Sequence, residues 1–250
     1  MSILRDTRSG KSTGVSAIQT VTLSVFRFDT IRARVWAFAQ MGFARLDFHL
    51  MKRCSFWKLC GSGGERFATA DPRIYAILAV WDDAETARRT TEDARIYRRW
   101  RRHAVEDYTL FLQATQVRGH WSGRTPFRVT DKAAPGPLAA LTRATIRPSR
   151  LAKFWRRAPE ISDVIGTNPD VLFKIGIGEV PVLHQITFSV WPDAGSMARF
   201  ARRDGPHARA VRAVRAGDWF REELYARFRV TGSRGTWAGS DPLSQYRDAV

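Results

Sequence analysis

Five histidines and two cysteines are the side chains of this 250-residue chain that could hold a metal or move a proton. His207 follows Gly205-Pro206 and has Ala210, Val211 and Val214 at i+3, i+4 and i+7, which puts it on the apolar stripe of a helix. An imidazole there can ligate a metal or haem iron, or sit hydrogen-bonded in the core; spacing alone leaves both open. His184 shares a strand face with Ile186, Phe188 and Val190 and is the second candidate. His49, among Phe48, Leu50 and Met51, is expected half-buried at a helix end. His103 is expected solvated among arginines, and His120 lies in a loop before a tryptophan. Cys54 and Cys60 are too few and too oddly spaced for a disulfide framework or zinc knuckle. Free thiols in a reducing cytoplasm are the expectation.

Other chemistries lack their residues. Gly10-Lys11-Ser12 has Arg5 where a phosphate-binding loop needs its first glycine. Gly176-Ile177-Gly178 lacks the third glycine of a dinucleotide fingerprint and runs into Pro181. No serine occupies a G-x-S-x-G elbow. Glu106-Asp107 and Glu222-Glu223 hold equivalent places after two helices, which favours pairing with arginines over a carboxylate dyad.

The elements that must position these residues come in two similar sets. Phe56-Trp57-Lys58 is answered by Leu172-Phe173-Lys174, and Arg118-Gly119-His120-Trp121 by Arg234-Gly235-Thr236-Trp237, both displaced by 116. Ala79-Val80-Trp81-Asp82 returns as Ser189-Val190-Trp191-Pro192-Asp193, displaced by 110. Such displacements indicate a duplicated domain, not a solenoid. In the first set, strands are expected over 19–29, 56–60, 74–81 and 108–117, with helices from Thr30 and from Ala84 to about Glu106. The second set has strands over 138–146, 171–177, 183–190 and 224–230. Its helices are expected over 148–164 and from Ala194 through Phe220, with a possible break at Gly205-Pro206.

Each set reads β-α-β-β-α-β, so the expected fold class is α+β: two tandem ferredoxin-like repeats. One four-stranded sheet with two helices leaves a face bare, and Tyr75, Ile77 and Ala79 are assigned to that face. Packing the two bare faces together would give, within one chain, the α+β barrel otherwise made by dimers. The boundaries are an extension over 1–18, repeats over 19–131 and 138–243, a linker over 132–137 and a tail over 244–250.

Bulk composition narrows the partners. There is no run of 18 uncharged apolar residues to span a bilayer as a helix, and no apolar stretch follows the early arginines as a secretory signal would require. Forty-one Lys+Arg against twenty-four Asp+Glu leave a net charge of +17. That field attracts an acidic protein, an anionic membrane or nucleic acid, unless it is only solvated arginine. The β-α-β-β-α-β order is also that of RNA-recognition modules, but 74–81 and 183–190 lack their Gly-aromatic signature, so no nucleic acid is expected.

Long stretches resemble a known family. They are Thr22 through Phe28, Gln40-Met41-Gly42-Phe43-Ala44, Phe56 through Gly63, Pro137 through Pro148, Phe173 through Pro181, Gly205-Pro206-His207-Ala208 and Glu222 through Val230. From Gln19 to Leu243 the chain is similar to spheroidene monooxygenase, the carotenoid ketolase family of purple phototrophic bacteria. The resemblance implies an oxygen-dependent enzyme that introduces a keto group at C-2 of spheroidene-type acyclic carotenoids by successive hydroxylation and dehydration. It further implies haem, with reduced ferredoxin as electron donor, and a place in the cytoplasm beside the photosynthetic membrane. Under it His207 becomes the expected axial ligand and His184 the runner-up, while no cysteine sits in a haem-thiolate context. Phe26, Phe28, Trp36, Phe38, Phe56 and Trp57 are the candidate lining of an apolar substrate channel. A non-catalytic haem or carotenoid carrier on the same fold is the alternative.

Overall fold

The computed structural model describes residues 17–62, 71–130, 136–156, 168–202 and 218–249. The first half runs β1 (Thr20–Arg27), α1 (Ile31–His49), β2 (Cys54–Ser62), β3 (Ile74–Trp81), α2 (Ala84–Asp93), α3 (Arg95–His103) and β4 (Glu106–Gly119). The second runs β5 (Leu138–Ile146), a 3-10 turn at Pro148–Arg150 leading into helix α4, described over 151–156, β6 (Phe173–Gly178), β7 (His184–Trp191), α5 (Ala194–Arg202) and β8 (Phe220–Gly235). All neighbouring strands pair antiparallel. Their order, β1-β3-β2-β6-β7-β5-β8-β4, closes into an eight-stranded barrel.

Closure follows from burial. Alternate residues of all eight strands, Val21, Leu23, Leu78, Leu110, Leu141, Ile175, Phe188, Ala226 and Phe228 among them, fill the barrel interior as one apolar cluster. The opposite face of the first half packs under α1, α2 and α3 through Phe26, Phe28, Ile77, Trp81, Trp100 and Phe111. Tyr75, Ile77 and Ala79 belong to this helix-covered layer, and Ala76, Leu78 and Val80 face the barrel, the reverse of the expected assignment. β3 is apolar on both faces, so alternation shows two sides without saying which is inner.

Local chemistry sets the element ends. Thr30 caps α1, its hydroxyl accepting from the Ala33 amide at 3.2 Å. Asp83 and Asp193 cap α2 and α5 through the Thr86 and Ser196 amides at 2.7 and 2.8 Å. The single helix expected from Ala84 is two, broken where Ala94 turns extended (φ −63°, ψ 138°). The break frees the Thr91 carbonyl, which accepts from Arg101 at 2.6 Å and Arg234 at 2.9 Å. Phe220, expected to end a helix, instead opens β8 opposite Ile146.

The repeated Arg-Gly-x-Trp motif has a backbone cause. Gly119 and Gly235 sit at φ 92° and 91°, where a Cβ would collide with the Glu223 and Asp107 carbonyl oxygens respectively. Each glycine leads into a tight turn, Trp121 to Arg124 and Trp237 to Ser240, whose two central residues both have positive φ. Glu222 accepts from the Gly123 amide and Glu106 from the Gly239 amide, both at 2.8 Å. The two acidic pairs thus hold turns and arginines together.

A candidate cavity on the C-terminal sheet and a charged cluster inside the barrel

The outer face of the second half differs from that of the first, row by row. In the first half, Thr22, Ser24 and Phe26 lie opposite Ala79, Ile77 and Tyr75, and Thr22 lies opposite Phe111. The corresponding rows of the second half hold Ala140, Thr142 and Ala144 opposite Ser189, Thr187 and Gln185, with Ala140 opposite Arg227. Alanine stands for Phe26, threonine for Ile77 and arginine for Phe111. At the Thr187 and Arg227 positions a cavity of about 420 Å³ lies between this sheet and α5. Ala140, Thr142, Thr187, Ser189 and Tyr225 floor it, while Trp191, Met197 and Phe200 supply apolar walls. Arg118, Arg227 and Gln116 are exposed at its edge. The Trp191 indole N–H donates to Ser189 at 3.0 Å, which fixes the ring against the floor. The Tyr225 hydroxyl donates to Glu223 at 3.2 Å. The volume and mixed lining suit a small molecule or cofactor with anionic groups directed at the two arginines.

A second cluster lies at one end of the barrel interior. Glu179, in the β6–β7 turn, pairs with Lys58 at 2.6 Å and accepts from the Trp121 indole at 2.8 Å. Arg143 and His184 Nδ1 approach the same carboxylate at 3.4 Å each. Arg143 is buried and also pairs with Glu222. Burial alone would raise the Glu179 carboxyl, but hydrogen bonds from His184 and Lys58, the Lys58 charge and the Trp121 donor outweigh it and hold it at about 2. Lys58 and Trp121 belong to the repeated motifs, yet nothing in their spacing revealed that they meet.

Among the described residues, the expected site residues do not converge. His207 lies outside the described residues. His184 does face the barrel side of β7, with its Nδ1 directed at Glu179, on the opposite face of the sheet from the cavity. Phe26, Phe28 and Trp36 join Trp100 in the layer under the first-half helices. Phe38 is 72% exposed on α1. Phe56 packs edge-on against Trp121 in the barrel, and Trp57 stacks on Phe48 outside it. These six residues therefore line no common channel. His49 is exposed, not half-buried, and His103 is stacked on Trp36 at 3.9 Å with Nδ1 2.9 Å from the Arg99 carbonyl oxygen. Cys60 faces the barrel interior, where burial pushes its thiol up and favours the neutral form. Burial likewise pushes Cys54 up to about 11. The cavity residues Arg118, Thr142, Thr187, Tyr225 and Arg227 were missed; setting the two halves against each other, Phe111 against Arg227, would have exposed them.

The fold and cavity define an α+β barrel protein with a ligand-sized space between sheet and helix. No family model matches the chain. It is 49% identical over 232 residues to a spheroidene monooxygenase of Cereibacter sphaeroides, covering 91% of this chain and 72% of that one. It is 47% identical over 229 residues to a spheroidene monooxygenase of Rhodobacter capsulatus, covering 89% and 95%. The chain belongs to the spheroidene monooxygenase family and is an oxidoreductase of the monooxygenase class. Among solved structures it shares its fold with an aldoxime dehydratase (TM-score 0.58, 12% identity, 90% and 83% covered). Another aldoxime dehydratase, in complex with butyraldoxime, gives TM-score 0.55 at 11% identity, covering 86% and 80%.

Proposed function

We propose that this protein is a carotenoid monooxygenase that places a keto group at C-2 of spheroidene-type acyclic carotenoids, with haem seated in the cavity on the C-terminal sheet. Two hydroxylations at one carbon, each consuming one dioxygen, two electrons and two protons, give a geminal diol; loss of water leaves the ketone. The observation that carries the reading is the replacement of Ile77 and Phe111 by Thr187 and Arg227 in the corresponding rows. In a family of oxygenases, it opens space where the first half is solid.

The residues present fit the cofactor. Small side chains at Ala140, Thr142, Thr187 and Ser189 offer a floor on which a planar ring could lie. Arg118 and Arg227 would meet its carboxylates, and Trp191, Met197 and Phe200 would keep water off it. Haem bound there would supply dioxygen activation, and we propose that His207 would hold its iron. Electrons would come from reduced ferredoxin, an acidic carrier whose encounter the +17 charge favours. The same charge supports a peripheral place on an anionic membrane, where an apolar carotenoid dissolves. The matched pairings of the two halves support an origin as tandem ferredoxin-like repeats.

Purified, haem-supplied protein should show a Soret band that is lost in His207→Ala and kept in His103→Ala. Oxygenated cells accumulating spheroidene should form the ketocarotenoid only when they carry the chain. Product formation without any Soret absorption would overturn the haem reading. Bound pigment without product would favour a carrier.

A further inference from the structure

We infer that α1 is the face by which this protein docks on an anionic lipid surface, lying flat with its outward apolar stripe in the headgroup region. This deepens the membrane-association reading above and names its surface. α1 has two apolar faces, of which the fold covers one. Ala37, Gln40, Ala44 and Phe48 are buried against the sheet and α3. On the other side Ile31 is 75%, Val35 65%, Phe38 72% and Leu46 68% exposed. With Gly42, these fall within about 80° of one another around the helix axis at 3.6 residues per turn. Phe43 and Leu50, 68% and 83% exposed, widen the strip towards the C-terminus. A soluble surface helix normally turns charged residues this way; a stripe of this size marks an interaction site.

Charge selects the occupant. Arg32 and Arg45 are exposed on either flank of the stripe, and Lys52 and Arg53 are exposed just past the helix end. Between Thr30 and Arg53 the single acidic residue is Asp47, which is paired with Arg99 at 2.9 Å. Arg34 is turned inward, donating to the Phe28 and Asp29 carbonyls at 3.2 and 2.6 Å. An apolar strip about 28 Å long with cations on both rims and no free acid fits an interfacial amphipathic helix on anionic lipid. Against a second copy, a symmetric antiparallel pairing of the same strip would set Arg32 level with the copy's Arg45, like charges on both rims and no acid to pair them.

Co-sedimentation with phosphatidylcholine vesicles, with and without phosphatidylglycerol, tests this on the full chain. Binding should need the anionic lipid. The triple variant Val35→Ser, Phe38→Ser, Leu46→Ser should lose at least about tenfold in partitioning, and Arg32→Gln or Arg45→Gln about fivefold each. Val129→Ser and Val180→Ser, at exposed apolar residues elsewhere, should bind like the parent. All the altered side chains are exposed, so thermal melting should be unchanged and serves as the folding control. Equal vesicle binding by parent and triple variant overturns the α1 assignment while leaving membrane association standing. No binding by the parent overturns both. A dimer in sedimentation that the triple variant dissociates, with vesicle binding unaffected, assigns the stripe to a second copy and also overturns the proposal.

Discussion

Glu179 is a buried charge made tolerable by its partners, and the stability it lends depends on them. The carboxyl, near 4.5 in the unfolded chain, is held at about 2 in the fold. A carboxyl lowered on folding lends stability that is complete above its unfolded value and lost as pH falls through the folded one. Glu179 should therefore contribute on the order of 3 kcal/mol at neutral pH, lost progressively between about pH 5 and 2. Glu179→Gln leaves Lys58 and Arg143 without their shared anion and should cost about 3–5 kcal/mol in denaturant unfolding at pH 7. It should also flatten the acid limb of the stability curve; an unchanged limb would show that another carboxylate governs it. Backbone conformation matters equally at this scale. Gly119→Ala and Gly235→Ala should each destabilise by more than about 1 kcal/mol, because a Cβ at those positive φ values meets a carbonyl of the paired strand.

Elements decide which of two plausible faces is used. α1 could bury either of its apolar sides. The stripe of Ile31, Val35, Phe38 and Gly42 is the outward one, because the smaller Ala37 and Ala44 let the helix approach the sheet closely. Periodicity reports a stripe, and packing volume decides which stripe goes in. The same rule separates the outer layers of the two sheets. Under α1 and α3, Phe26, Phe28, Tyr75 and Trp100 interlock edge to face with centroids 5.2 to 6.4 Å apart. Against α5, threonines, alanine and serine leave space. Thr187→Phe should fill that space and abolish haem uptake, read as loss of the Soret band, while far-UV circular dichroism stays unchanged. Retained haem in Thr187→Phe would place the cofactor elsewhere.

Across the whole molecule the two seams that close the barrel are unequal. Among the described residues, β4 and β8 pair over eleven positions from Tyr108↔Gly235 to Gly119↔Leu224, while β2 and β6 meet at Gly61↔Gly178 and Ser62↔Ile177. Local opening follows the weaker seam. Amide exchange should thus be faster in the paired segments of β2 and β6 than at Leu110, Leu112 or Val230, and equal protection would contradict the asymmetry. Among the described residues no helix is long and apolar enough to cross a membrane. The proposed lipid docking rests instead on the exposed apolar stripe of α1 and the basic charge of the chain.

Strand positions were legible because they rest on local rules: apolar runs such as 74–81 and 138–146, and glycines that only a left-handed turn requires. The repeated Arg-Gly-x-Trp motif was legible for the same reason, since each glycine answers a steric demand that no other residue meets. The inner and outer faces of β3, the break at Ala94 and the meeting of Lys58 with Glu179 were not, because each depends on groups far apart in the chain. The cavity belongs to this second kind. No short stretch announces it; it exists only because three strands bring Ala140, Thr187 and Arg227 side by side where the first half packs rings. Sequence alone determined the family and the element order, through contacts near along the chain. Tertiary structure decided where space was left, because an empty volume is a property of what surrounds it.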